Sequence, residues 1–175
     1  MLKKIVLLFS FASVFFLFGC GKSLEKDVVG KWAWEMSFPI DDKEMAGKAF
    51  VKCVSEFFPN KSINHDCEMK LSGSGKDGGP KIEIEANIMA TGDWTVTDKT
   101  VYDKTIDGKM ELAKFSVNGE AISDKEKLAE LQKGMDSPFV KGETSALVTI
   151  SNDGKKWVYE TEVEKKKVTV TATKQ

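Results

Sequence analysis

Alternating apolar and polar positions predict β-strands along most of the chain after residue 27. The first such stretch, at 28–38, places one set of side chains on a single face: Val28, Gly30, Trp32, Trp34, Met36 and Phe38. A period of two is typical of an antiparallel strand with one buried and one exposed face. Pro39 is expected to end this strand, since proline cannot donate a ladder hydrogen bond.

The apolar spacing changes at residues 42–58 and there predicts a helix. The predicted stripe consists of Met45, Ala46, Ala49, Phe50, Cys53, Val54 and Phe57. Its i, i+1, i+4, i+5 spacing is that of one helical face. Asp41 or Asp42 is available as the cap, and the helix is expected to end before Pro59.

A second helix is predicted at 124–134. Ser123 and Glu126 have the spacing of a capping box, and Gly134 stands where a C-cap is expected. Both helices are interpreted as insertions in a series of strands.

Further strands are predicted wherever the alternation returns between glycine-containing or Asp/Asn-containing turns. They lie at 67–73, 81–90, 92–97, 100–106, 109–117, 145–151, 156–164 and 167–173. Asp107-Gly108 is a typical two-residue hairpin turn. The count of eight or nine strands joined by sequential turns favours a mainly β fold, either an antiparallel barrel or a sandwich.

The first eighteen residues have the organisation of an export signal. Lys3 and Lys4 precede an apolar run from Ile5 to Phe18. Such a run is shorter than the roughly 20 residues that a spanning helix needs, and it matches the apolar region of a secretory signal.

The sequence Leu17-Phe18-Gly19-Cys20 that follows resembles the lipobox of bacterial lipoproteins. The resemblance implies cleavage before Cys20, a diacylglycerol on its sulfur and acylation of the new amino terminus. The alternative is a plain signal peptide followed by a chance cysteine. We therefore expect a signal peptide at 1–19, a lipidated tether at 20–27 and one domain at 28–175. The membrane is then a partner through the anchor.

Gly21 follows the predicted lipidated cysteine, where an aspartate would be the signal for retention in the inner membrane. In a two-membrane bacterium this resembles the default pattern for sorting to the outer membrane. The expected localisation is therefore the cell envelope, on the outer membrane and facing the periplasm.

All 26 basic residues are lysine, and the chain contains no arginine. Sites that depend on a bidentate arginine clamp are therefore excluded. The charges are spread along the chain, with a formal net charge of −1. This distribution argues against a nucleic-acid partner, which would require a clustered basic face.

Cys53 and Cys67 remain as an even pair once Cys20 is assigned to the lipid. In an exported protein such a pair predicts a disulfide. The alternatives are two free buried thiols or, less favoured, a metal pair. His65 is the single histidine of the chain, and a zinc site needs three or four ligands, so no metal and no cofactor are expected.

The tripeptide Gly30-Lys31-Trp32 resembles the G-x-W signature of lipocalins and of lipocalin-like bacterial lipoproteins, and Gly92-Asp93-Trp94 repeats it. The resemblance implies an up-and-down barrel of about eight strands. It also implies that the first glycine permits close packing and that the first tryptophan closes the narrow end. Lipocalins commonly stack an arginine of the last strand on that tryptophan, and here Lys166 or Lys167 could substitute only in part.

The candidate ligand-binding residues are the four tryptophans and one methionine: Trp32, Trp34, Met36, Trp94 and Trp157. They could line an apolar pocket for a small molecule or lipid, and ordinary core packing is the alternative for each. His65, Asp66 and Cys67 resemble fragments of a catalytic group. However, a bridged cysteine is not a nucleophile, and adjacent strand residues point to opposite faces. We therefore expect no enzyme.

Two functions remain. One is a binding module for a small apolar molecule or lipid, with a hollow barrel. The other is a structural or interaction lipoprotein with a filled barrel, which binds another envelope protein through an exposed apolar patch.

Overall fold

Extended strands make up most of the structure. The computed structural model describes residues 24–41, 45–122, 124–133, 142–151, 153–163 and 166–175. The predicted signal peptide and Cys20 lie outside these residues. The elements are α1 (Leu24–Val28), β1 (Gly30–Asp41), β2 (Met45–Phe57), β3 (Ser62–Gly75), β4 (Lys81–Thr97), β5 (Thr100–Val117), β6 (Glu120–Ile122), α2 (Lys125–Lys133), β7 (Gly142–Ile150), β8 (Lys156–Val163) and β9 (Lys166–Lys174). A short 3-10 turn, Lys76–Gly78, connects β3 to β4.

The strands form one antiparallel sheet. Its order is β4-β3-β2-β1-β9-β8-β7-β5-β6, and an additional pairing joins β4 to β5. The mainly β, antiparallel fold predicted from the alternation is therefore confirmed, and the described residues form nine strands and two helices. Closure into a barrel is not confirmed by the strand order.

β1 shows the predicted alternation. Trp32, Met36, Phe38 and Ile40 are buried, and they define the inner face of the sheet, which carries most of the buried side chains. The strand continues to Asp41, so the expected end at Pro39 is wrong. The reason is that β9 pairs with β1 only from Trp32 to Trp34. Pro39 lies beyond that ladder, where proline is tolerated in a strand.

The helix predicted at 42–58 is wrong, because residues 45–57 form β2. The two periods agree at a spacing of four: Ala49, Cys53 and Phe57 are buried whether the segment is a helix or a strand. β2 pairs along its whole length with β3 and from Ala46 to Phe57 with β1. Two ladders of backbone hydrogen bonds override a local helical pattern, since tertiary context outweighs intrinsic propensity.

The predicted disulfide is present. Cys53 and Cys67 are bonded to one another and lie directly opposite in the β2–β3 ladder, with their Cα atoms 4.1 Å apart. Both side chains are on the inner face, 2% and 6% exposed. The bridge therefore joins two neighbouring strands and not a helix to a strand.

The Asp107-Gly108 hairpin is also wrong. Both residues lie within β5 and pair with Thr91 and Ala90 of β4. A register shift next to this pair leaves Ile106 without a partner in the ladder, which is a β-bulge. The predicted strands at 81–90 and 92–97 likewise merge into β4.

The second predicted helix is confirmed as α2. Asp124 caps it by accepting from the Lys127 N–H at 3.0 Å, whereas the predicted cap Ser123 and the C-cap Gly134 lie outside the described residues. Gln132 accepts from the Leu112 N–H at 3.2 Å and donates to the Met110 carbonyl. The ladder between β5 and β7 ends at Thr105. Beyond it, these two bonds provide partners for backbone N–H and C=O groups of β5. The other helix, α1, lies where the tether was expected.

Candidate functional site

Two apolar clusters occupy the inner face. The first, here the tryptophan cluster, consists of Val28, Trp32, Phe57, Ile63, Trp94, Val101, Val148, Trp157 and Ala172. The second, here the methionine cluster, consists of Met36, Phe38, Ile40, Ala49, Cys53, Cys67, Leu71, Ile84, Ala86, Ile88, Met110, Leu112, Leu128 and Val170. The predicted ligand residues are therefore divided between the two clusters.

Three of the candidate residues, Trp32, Trp94 and Trp157, lie in the tryptophan cluster. The Trp32 and Trp157 ring centroids are 4.1 Å apart, and the Phe57 ring packs edge-on to both Trp94 and Trp157. The Trp32 indole donates to the Val28 carbonyl at 2.7 Å, and the Trp94 indole donates to the Phe58 carbonyl at 3.0 Å. All three indoles are at most 4% exposed, so their surfaces are already filled by protein contacts.

Lys174 lies over Trp32. Its ammonium is 5.1 Å from the ring centroid and donates to the Asp27 carbonyl at 3.1 Å. The cation on this tryptophan is therefore Lys174 of the last strand, whereas the side chains of Lys166 and Lys167, which were expected there, lie outside the described part of the structure. Gly30 has a φ of +129°, and a Cβ there would lie 2.8 Å from Lys174 Cε. Glycine therefore suits this position both by conformation and by space.

A chain of polar side chains lies between the two clusters. The Trp34 indole donates to Ser55 Oγ at 2.9 Å, Ser55 Oγ is 2.8 Å from His65 Nδ1, and His65 Nε2 is 2.9 Å from Asp103 Oδ2. A carboxylate only accepts, so Nε2 carries the proton. In the neutral imidazole Nδ1 then accepts the serine proton, and all three bonds run in one direction towards Asp103.

The polar chain is set into the inner face. Ser55 is 3% exposed, and the side chains of His65 and Asp103 are 14% and 19% exposed. Asp103 Oδ1 is closed off from solvent and has no hydrogen-bond partner among the described residues. Burial, together with the negative charge of Asp103, raises the pKa of the Tyr159 hydroxyl. Tyr159 therefore stays neutral in this setting.

Strand register assembles the polar chain. Ser55 lies opposite both Trp32 on β1 and His65 on β3. Between His65 and Asp103 runs β4, on which Ala90 lies opposite His65, Trp94 lies opposite Asp103, and Gly92 stands between these two on the inner face. The small size of Ala90 and Gly92 leaves room for the imidazole to reach the carboxylate.

Sequence reasoning missed this group for a specific reason. Ser55 falls on the same face as Cys53 and Phe57 only when residues 45–57 form a strand, whereas the apolar spacing there predicts a helix. The carboxylate next to His65 in the sequence is Asp66. The carboxylate that His65 contacts is Asp103, which is distant in sequence.

Several apolar side chains point to the inner face but remain partly exposed. Those packed against the methionine cluster are Trp34, Met45, Val51, Met69, Ile82, Phe115, Ile122, Leu131, Tyr159 and Val168. Trp34 also contacts the tryptophan cluster. Of the predicted ligand residues, Trp34 is thus the one that keeps accessible surface, whereas Met36 is 5% exposed.

Four large apolar side chains are exposed on the outer face of the sheet. Met89 on β4, Tyr102 and Ile106 on β5 and Val158 on β8 are 40–50% exposed. Three of the four belong to the neighbouring strands β4 and β5. The helix α2, by contrast, buries Leu128 in the methionine cluster.

Comparisons with known proteins give no family assignment: no protein-family model and no curated protein matches the chain. Within the described part of the chain, no helix is both long enough and apolar enough to cross a bilayer. The described residues also contain no group of three or more His, Cys, Asp and Glu side chains arranged for a metal ion.

Proposed function

We propose that the protein is a lipid-anchored envelope lipoprotein whose lipocalin-like β-barrel binds a small apolar molecule or lipid. The anchor is the diacylglycerol expected on Cys20, and the location is the outer membrane, facing the periplasm. This part of the proposal is supported by the signal sequence and lipobox at 1–20.

The pairing pattern supports a barrel. With the additional β4–β5 pairing, each of eight strands has two neighbours, in the ring β1-β2-β3-β4-β5-β7-β8-β9. β6 and α2 are then an insertion between β5 and β7. Lys174 over Trp32 adds a contact of the kind that closes the narrow end of a lipocalin.

The observation that carries the binding function is the accessible surface on the inner face. Val51, Met69 and Val168 point inward yet remain partly exposed. In a filled barrel the corresponding side chains would be enclosed by one another, since protein cores are close-packed. Accessible apolar surface facing inward is therefore what a hollow end of the barrel would present to a ligand.

The hydrogen-bonded series of a serine, a histidine and an aspartate resembles the catalytic group of a nucleophilic hydrolase. The burial of Ser55 nevertheless favours a non-enzymatic role for Ser55, His65 and Asp103. Ser55 is 3% exposed, and its hydroxyl oxygen already contacts both Trp34 and His65. An attacking oxygen needs an open approach for the substrate carbon. We accordingly propose no catalytic activity.

Filling the inner space tests the binding function. We expect Val51→Trp to weaken binding of the uncharged fluorescent probe N-phenyl-1-naphthylamine by at least about tenfold, since the added indole would occupy the ligand's volume. Val158→Trp makes the same change on the outer face, where Val158 is 40% exposed, and should leave binding unchanged. A fluorescence titration gives both dissociation constants, and circular dichroism checks that both variants fold.

Equal probe binding by the Val51→Trp variant and the parent chain would contradict a hollow barrel. Weaker binding in the Val158→Trp variant alone would instead favour the second candidate, an interaction lipoprotein with a filled barrel. That candidate is supported by the exposed Met89, Tyr102 and Ile106 on the outer face, which could contact another envelope protein.

A further inference from the structure

The polar chain occupies a defined depth along the inner face. On β2, Ser55 stands between Cys53 of the methionine cluster and Phe57 of the tryptophan cluster, and on β3, His65 stands between Cys67 and Ile63. The tryptophan cluster beyond it is filled, because Trp32 packs on Trp157 and the Phe57 ring packs between Trp157 and Trp94. A molecule whose apolar body lies along the methionine cluster would therefore end at the polar chain.

The side chains at this depth favour one kind of head group. Asp103 brings a negative charge, and among the described side chains its partner is the neutral imidazole of His65. Asp103 Oδ1 is closed off from solvent and has no partner among the described residues, so the negative charge is poorly compensated, which is costly. The side chain as a whole is 19% exposed, so a bound molecule can approach the carboxylate and compensate its charge.

From this arrangement we propose, building on the ligand-binding function above, that the ligand is an amphiphile whose inserted end donates hydrogen bonds and is uncharged or cationic. A hydroxyl or an ammonium group would donate to Asp103. A carboxylate would bring only acceptors and a second negative charge to the same place, which costs free energy in a poorly solvated site. The site thus selects against free fatty acids.

Three single-chain amphiphiles of equal length test this selectivity: 1-decanol, decylamine and decanoate. Every described element, from α1 to β9, lies after residue 23, so a chain starting at residue 20 with Cys20→Ser contains the whole described fold without the lipid. Isothermal titration calorimetry at neutral pH and low salt measures each dissociation constant. We expect the alcohol and the amine to bind at least about tenfold more tightly than decanoate.

The Asp103→Asn variant tests whether Asp103 causes the selectivity against decanoate. It keeps the shape of the side chain and removes its charge, so the preference over decanoate should fall below about threefold. Asp93→Asn is the matched control, because Asp93 is exposed on the neighbouring strand β4, and it should retain the full preference. If the Asp103→Asn variant fails to fold, the comparison of the three amphiphiles on the parent chain decides by itself.

The outcomes separate the two proposals. Binding of none of the three amphiphiles would contradict the ligand-binding function itself. Equal or tighter binding of decanoate would contradict the selectivity and leave the binding function standing. A preference that survives in the folded Asp103→Asn variant would contradict the assignment to Asp103.

Discussion

Trp32→Ala is expected to lower the free energy of unfolding by about 3–5 kcal/mol, the range for truncating a large aromatic core residue. Trp32 is completely buried, stacks on Trp157 and donates to the Val28 carbonyl. Its removal would leave a large cavity and an acceptor without its donor. Urea unfolding followed by far-UV circular dichroism measures the loss without depending on the deleted fluorophore.

Tyr102→Ala is the control for this prediction. Tyr102 is 42% exposed on the outer face, so its truncation should change the free energy of unfolding by no more than about 0.5 kcal/mol. A loss below about 1 kcal/mol for Trp32→Ala would show that the tryptophan cluster is not a packed core.

Reducing the Cys53–Cys67 disulfide is expected to destabilise the protein by about 2–4 kcal/mol, because the bridge restricts the unfolded chain over a sequence separation of 14. For a domain of this size that corresponds to a melting temperature lower by roughly 5–15 °C. Thermal unfolding with and without a phosphine reductant measures the shift.

The Cys53→Ala, Cys67→Ala double variant supplies the control for reduction. Its melting temperature should be low in both conditions and should not respond to the reductant. Two thiols that titrate in the native, unreduced protein would contradict the bridge.

The value of the alternation for prediction differs between β1 and β2. In β1 the period of two is unambiguous from Gly30 to Phe38, so the buried face could be assigned from the sequence. In β2 the apolar residues are spaced by four, which both periods accommodate. What decides between them is pairing with β1 and β3, and pairing partners are not visible in a local pattern.

Turn signals failed in a similar way. Asp107-Gly108 has the composition of a hairpin turn but forms part of β5 beside a bulge, because β4 offers a continuous ladder there. Asn118-Gly119, with φ angles of 52° and 86°, makes the turn between β5 and β6. Neither Asp107 nor Gly108 has the positive φ that this type of two-residue hairpin turn requires, whereas Asn118 and Gly119 both do.

The disulfide was accessible to sequence reasoning because it depends on composition and cellular compartment. The polar chain was not, because it depends on the registers of four strands. Ser55 and His65 come together through the β2–β3 ladder, and Asp103 joins them across β4. Of the residues proposed from sequence for ligand binding, Trp34 alone belongs to the polar chain of hydrogen-bonded side chains.

The polar chain has two structural effects on the inner face. Its hydrogen bonds hold polar groups in an apolar setting, where unpaired groups would be destabilising. They also fix the position of Asp103 relative to the accessible apolar surface around Val51 and Met69. A ligand site with an apolar body and one polar end is the usual form of small-molecule pockets.

The most direct test of a ligand-binding barrel is to compare the intact masses of the native and denatured protein. The protein would be the exported chain from residue 20, carrying Cys20→Ser and purified under mild conditions. A ligand-binding barrel is expected to show a reproducible excess mass in the native spectrum, which disappears on denaturation and identifies the bound amphiphile. A native mass equal to that of the polypeptide alone, and unchanged after incubation with decylamine or 1-decanol, would contradict a ligand-binding barrel.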